Sequence, residues 1–202
     1  FIIHMPMEPL GYPADNPGKH ALMTRMSTEE IQKTVRDVLR RYPMVQGLNN
    51  HMGSRFTQYR SGMEAVLEVL SRRNLYYLDS ATTANSVALE VARRWRVPAL
   101  RNQVFLDRKR NRAYIRRQLE RLVERARNQG SAVGIGHMQS RLTAEVLAER
   151  IPDYVRDGVT FVPLSRVVGR VGTTAPVRSD VYSHSRLDST GNALLRRVRQ
   201  GF

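Results

Sequence analysis

The chain has no cysteine among its 202 residues. That excludes a disulfide framework, a thiolate metal site and a cysteine nucleophile, so any metal must be held by His, Asp or Glu. Acidic residues are scarce too: 18 Asp and Glu stand against 33 Lys and Arg, a formal net charge of +15. Lysine itself is nearly missing, with 3 against 30 arginines. Such an excess favours anionic partners without naming one. Apolar runs are short of the roughly 20 residues a membrane-spanning helix needs. A Gly-x-Ser-x-Gly nucleophile elbow, a Gly-x-Gly-x-x-Gly loop and a P-loop are all absent. What remains is ordinary for a folded domain, 41% hydrophobic and 25% charged.

The chain opens on Phe1-Ile2-Ile3, an apolar β-prone run with no basic start and no cleavage-site pattern. It reads as a strand entered in the middle, with His4 just after it and the natural N-terminus missing. Ser27-Thr28-Glu29-Glu30 has the spacing of a capping box and predicts a helix to Arg41. Short apolar runs then alternate with helical stripes. Strands are predicted over 44–48, 75–78, within 97–106, over 132–136 and over 159–164, and helices over 57–73, 84–95, 109–128 and 142–150, the last closed by Pro152. This alternation implies a mostly parallel sheet covered by helices, either a (β/α) barrel or an open doubly wound sheet. Residues 169–202, rich in Arg, Ser, Thr and Gly, read as a flexible basic tail after an α/β domain over 1–168.

In parallel α/β folds the loops after the strands' C-terminal ends form the working face. His4, Asn49-Asn50-His51, Asp79 and His137 all fall at predicted strand ends. Each has a blander reading: His4 as a loop-orienting donor, His51 as part of a polar turn, Asp79 as a helix N-cap, His137 as a satisfied core histidine, and Glu8 as a solvated loop acid. Together they suggest more. Two histidines and a carboxylate on one face suit a divalent metal such as zinc, which polarises a carbonyl and activates water. A carboxylate would then take the water's proton, and His137 would protonate the leaving group.

The strings His4-Met-Pro-Met-Glu-Pro9, Gly47-Leu-Asn-Asn-His-Met-Gly-Ser-Arg-Phe-Thr57, Leu78-Asp-Ser-x-Thr-Thr83, Val104-Phe-Leu-Asp107, Ile135-Gly-His137 and Val162-Pro-Leu-Ser165 resemble, in order, the divergent polysaccharide deacetylase family. The resemblance implies a distorted (β/α) barrel lacking its first strand or strands, and a metal-dependent hydrolase that removes acetyl groups from an N-acetylated glycan. It implies His4 and His51 as metal ligands, most simply for Zn2+. Asp79 becomes a site carboxylate that supports or orients them, His137 the acid, and Glu8 a further ligand or site acid. The family's Asp-Asp-x-Gly motif would lie before Phe1. Two departures stand out, Met138 after the late histidine in place of Pro and Asn102 after Arg101 in place of Asp. The implied substrate is a glycan such as peptidoglycan or a chitooligosaccharide-like polymer, in the periplasm or cell envelope. The alternative is a catalytically silent glycan-binding or envelope-scaffold domain of the same fold. Nucleic acid is not expected as a partner, because no recognised module appears and aromatics are not interleaved with the basic run.

Overall fold

A computed structural model describes residues 1–137 and 139–170. The predicted tail lies outside the described residues from 171 onward. Four strands, β1 (Ile2–Met7), β2 (Gly47–Met52), β3 (Tyr76–Asp79) and β4 (Ala99–Arg101), form one sheet, and β5 (Val104–Phe105) pairs with β6 (Gly134–Ile135). Every pairing is parallel, and the first four strands lie side by side in chain order. Sequential parallel order without reversal is that of a (β/α) barrel wall, since a doubly wound sheet must change direction at its switch point.

The helices are α1 (Thr28–Arg41), α2 (Arg60–Arg72), α3 (Ala88–Arg94), α4 (Arg112–Gln129), α5 (Arg141–Arg156) and α6 (Leu164–Arg170). The capping box forms as its spacing implies: the Glu30 amide donates to Ser27 Oγ at 3.2 Å and the Ser27 amide to Glu30 Oε2 at 2.8 Å. The outer face of the sheet presents Met5, Met7, Leu48 and Tyr77 to Ile31, Val35, Leu39, Met63, Val66 and Leu70, all essentially buried. A second cluster gathers Val104, Leu106, Leu119, Val123 and Tyr154.

Three expectations are corrected. The first two strands run further than their apolar runs: β1 includes His4 and Pro6, and β2 begins at Gly47 and takes in Asn49, Asn50 and His51. Gly47 fits because a Cβ there would stand 2.6 Å from the Tyr76 carbonyl oxygen. Helix α5 continues through Pro152 instead of ending there, because Tyr154, two residues on, is buried in the second cluster. That packing outweighs the roughly 3 kcal/mol that an interior proline costs. Residues 159–163 form no strand, and the chain enters α6 at Leu164.

Polar side chains sit inside β2 at no cost because each finds partners. Asn50, fully buried, accepts from the Tyr77 hydroxyl at 3.1 Å and the Ser80 amide at 2.9 Å, and donates to the Met52 carbonyl at 2.7 Å. Asn102 plays the same part between the two sheets. Its amide donates to the Asp79 carbonyl, its Nδ2 to the Ser80 carbonyl, and its Oδ1 accepts from the Val104 amide. An aspartate could not supply the Nδ2 donor.

Asn50→Ala strands the Tyr77 hydroxyl and the Ser80 amide in the core, and is expected to cost about 2–4 kcal/mol in urea unfolding. Tyr77→Phe, which leaves the Asn50 oxygen bonded to Ser80, is expected to cost no more than about 1.5 kcal/mol. Equal losses would show that Asn50 is not the hub.

Candidate active site

The parallel register pairs His4 with Asn49 and Pro6 with His51. Register partners on adjacent parallel strands point to the same face, as do residues two apart along one strand. His4, Asn49 and His51 therefore share the face of the sheet opposite the helix-packed core.

The hydrogen-bond chain assigns the histidine tautomer. Ser80 Oγ donates to the Asn50 carbonyl at 2.6 Å, so it accepts from Asn49 Nδ2 at 3.0 Å. Asn49 Oδ1 is then the acceptor facing His4 Nδ1 at 3.0 Å. His4 thus carries its proton on Nδ1 and turns the Nε2 lone pair outward. That lone pair meets His51 Nδ1 at 3.1 Å, with ring centroids 4.9 Å apart and planes at 66°. The His51 pKa is pushed below its ordinary value, first by burial and then by the charges of His4 and His137. Neutral imidazole, the form that ligates metal, is favoured.

A second centre lies at the ends of β5 and β6. Asp107, whose side chain is 1% exposed, accepts from the His137 backbone amide and from His137 Nδ1, both at 2.7 Å. Thr143 Oγ1 donates to Asp107 Oδ2 at 2.8 Å, and the same hydroxyl lies 2.7 Å from Ser140 Oγ at the N-cap of α5. Burial pushes the Asp107 pKa up, but the bonds from the His137 amide, the His137 ring and Thr143 outweigh it and hold it below the ordinary carboxylate range. With Nδ1 bound to Asp107, His137 keeps Nε2 for other work, and its side chain is 51% exposed. The charge of His137 is the last of the three causes of the His51 shift.

The other two sequence candidates are placed elsewhere. Asp79 shares the helix-facing side of the sheet with Tyr77, two residues before it, and so faces away from the imidazoles. Its Oδ1 accepts from the Ala81 amide at 2.9 Å, and its buried Oδ2 has no hydrogen-bond donor, with Arg101 Nε 3.7 Å away. The residue that orients His4 is Asn49. Glu8 Oε2 accepts from the Thr24 amide at 2.6 Å and the Thr24 hydroxyl at 2.7 Å, while Oε1 lies 3.6 Å from Arg55 Nη1. Its carboxylate ties together the loops after β1 and β2 and before α1. Among the described residues, no group of three His, Asp or Glu side chains is close enough to hold a cation.

Asp107 and Asn49 stand in the strings quoted from the sequence, Asn49 also among the polar residues at strand ends, but neither was given a role there. For Asp107 the signal was present: a carboxylate ending Val-Phe-Leu, thirty residues before a histidine that ends the next strand. For Asn49 there was none, because its role depends on the register.

Parallel strands in barrel order, with imidazoles gathered beyond their packed face, define an α/β protein with a histidine-rich site built on strands. The chain belongs to the divergent polysaccharide deacetylase family, which matches residues 1–168. It is 37% identical over 183 residues to the uncharacterized protein YibQ of Escherichia coli K12, covering 89% of this chain and 56% of that protein. An uncharacterized protein of Haemophilus influenzae is 32% identical over 148 residues, covering 73% and 52% respectively. The chain thus spans about half the length of the curated relatives it matches. A crystal structure of an uncharacterized protein from Agrobacterium tumefaciens C58 superposes with a TM-score of 0.79 at 25% identity, covering 82% of this chain and 67% of that one.

The Asp107 carboxylate stabilises the fold only while ionised. Because its folded pKa is depressed, that contribution is complete above the unfolded value of about 3.9 and is lost as pH falls through the lower folded value. Denaturant unfolding between about pH 5 and pH 2 is expected to show a steeper acid loss for the native chain than for Asp107→Asn. Parallel curves would contradict the assigned bonds.

Proposed function

We propose that this chain carries the metal-binding and proton-transfer residues of a metal-dependent carbohydrate deacetylase acting on an N-acetylated glycan. The observation that carries the reading is the 3.1 Å separation of His4 Nε2 and His51 Nδ1. Two nitrogens that share one tetrahedral zinc ion stand about 3.4 Å apart, so the two rings would need to part by only a few tenths of an ångström to hold one. Asn49, bonded to the far nitrogen of His4, is the outer partner that ligating histidines ordinarily have. His4 and His51 would hold the ion and leave its remaining positions to other ligands, substrate and water. Bound there, a zinc ion supplies Lewis-acid polarisation of the acetamido carbonyl.

The chain's own groups do the rest. His51, kept neutral by burial, offers a lone pair from either ring nitrogen according to tautomer, so Nδ1 can exchange a proton for a cation. His137 is the proton donor to the departing amine: Asp107 fixes Nδ1–H, orients the ring and stabilises the imidazolium, leaving Nε2–H to face the substrate. Glu8 acts by fixing Arg55 and Thr24 around the His4 strand, and Asp79 by holding Arg101 and the turn at Ala81. We place the work in the periplasm or cell envelope, where the family's resemblance puts it and where peptidoglycan offers such acetamido groups. Among the described residues no helix is long and apolar enough to cross a membrane.

Zinc titration of the chain by calorimetry is expected to give one site. His4→Ala or His51→Ala should abolish it, and Asn49→Ala should weaken it about 10- to 100-fold. His137→Ala should keep zinc while lowering acetate release by the complete gene product about 10²- to 10⁴-fold. Zinc affinity indifferent to His4 and His51 would overturn the metal assignment. Full turnover without His137 would overturn the proton donor.

A further inference from the structure

The cations of the described residues are not evenly matched. Glu8 has Arg55 beside it and Asp79 has Arg101. On α4, Arg112 and Arg116 pair with Glu145 and Glu149 of α5. Asp107 is occupied by His137 and Thr143. The loop that follows Asp107 is different: Arg108, Lys109 and Arg110 are all exposed, and none makes an ion pair with an acid among the described residues.

Strand alternation places this loop on the site. Val104 and Leu106 pack into the cluster beneath α4, so Phe105 and Asp107 share the opposite face, the one carrying His137. The Arg108 guanidinium lies over the Phe105 ring, 4.5 Å from its centroid. It is thereby held on the same face as the Asp107–His137 pair, with its planar fork unspent. Lys109 is steadied in the same way, 5.9 Å from the centre of Tyr114.

We propose that Arg108, Lys109 and Arg110 form an anion-binding rim of this site, and that the glycan it acts on is acidic, with carboxylates close to its acetamido groups. The inference rests on the deacetylase reading for the acetamido group and on the loop for the charge. A guanidinium presents paired donors that match a carboxylate, and a stacked one gives up less side-chain freedom on binding. A nucleic acid fits less well. The two rings nearest the loop are already covered by Arg108 and Lys109 and cannot serve as platforms for bases.

The test uses the complete gene product and four probes: a hyaluronan tetrasaccharide, its methyl ester, chitotetraose and a single-stranded DNA oligonucleotide. The tetrasaccharide and its ester share every sugar and acetamido group and differ only at the carboxyls, ionised in one and methyl-capped in the other. At about 20 mM salt the acid should bind at least roughly tenfold tighter than the ester, and the gap should close near about 0.5 M, where charges are screened within a few ångström. The variant R108Q/K109Q/R110Q should lose that preference while its affinity for ester and chitotetraose and its thermal midpoint stay unchanged. Arg117→Gln, on the outer surface of α4, should retain the preference. Equal binding of acid and ester, undetectable binding of the acid, or a preference surviving in the triple variant overturns the proposal. So does DNA binding that exceeds the acid and vanishes with the same three residues, which would make the loop a nucleic-acid surface. Failure of zinc to bind His4 and His51 while the acidic preference holds would remove the deacetylase reading alone. Zinc binding without the preference would remove this one alone.

Discussion

The parallel register of β1 on β2 is the constraint from which the site follows. Pairing His4 with Asn49 and Pro6 with His51 brings two imidazoles from segments 47 residues apart to 3.1 Å. A slip by one residue would turn His51 toward the helices and Asn50 toward His4, because side chains on a strand alternate. The apolar members of the same strands oppose such a slip: Met5, Met7 and Leu48 must face α1 and α2. Burial of the core thus holds the polar face in place. The stiffness that the proposed metal site would require comes from the opposite side of the sheet.

Asn49 and Asn50 show how one dipeptide serves both faces. Asn50 points into the core and is consumed by Tyr77, Ser80 and Met52. Asn49 points the other way and sets the His4 tautomer through a chain that ends on the Asn50 carbonyl. The two are joined through the Ser80 hydroxyl. The orientation of the imidazole therefore rests on a network that is itself buried, where reorganisation is costly.

The alternation of helices and strands was legible in the sequence because it rests on period and caps, as at Ser27 and Glu30. The boundaries of the first two strands were not. Asn, Asn and His in succession read as a loop, since local propensity cannot anticipate that Tyr77 and Ser80 will satisfy them. Pro152 misled for the matching reason: a local breaker was overridden by the burial of Tyr154. At the site, His4, His51 and His137 were recognisable as residue types at strand ends. Position at a strand end does not reveal which face a side chain takes, which is why Asp79 read as a partner of the imidazoles although its alternation follows Tyr77. Asp107 was given no role because its partnership with His137 depends on β5 lying beside β6, a pairing of two residues on each strand.

The proposed deacetylase site has two halves on two sheets, the imidazole pair on β1 and β2 and the Asp107–His137 pair on β5 and β6. Chemistry that uses both needs them held at constant separation, and the chain passes between the sheets only through Asn102 and Gln103. Asn102 bonds to the ends of both β3 and β5: it meets the Asp79 and Ser80 carbonyls on one side and the Val104 amide on the other. Gln103 continues the stitch, donating its amide to the Val133 carbonyl and accepting from the Val133 amide at 2.9 Å. Asparagine in place of the aspartate expected from the family pattern therefore keeps the joint intact by hydrogen bonding. It also removes a negative charge from the wall between the two centres. With Glu8 beside Arg55 and Asp107 bonded to His137, the exposed charge next to the second centre is that of Arg108, Lys109 and Arg110.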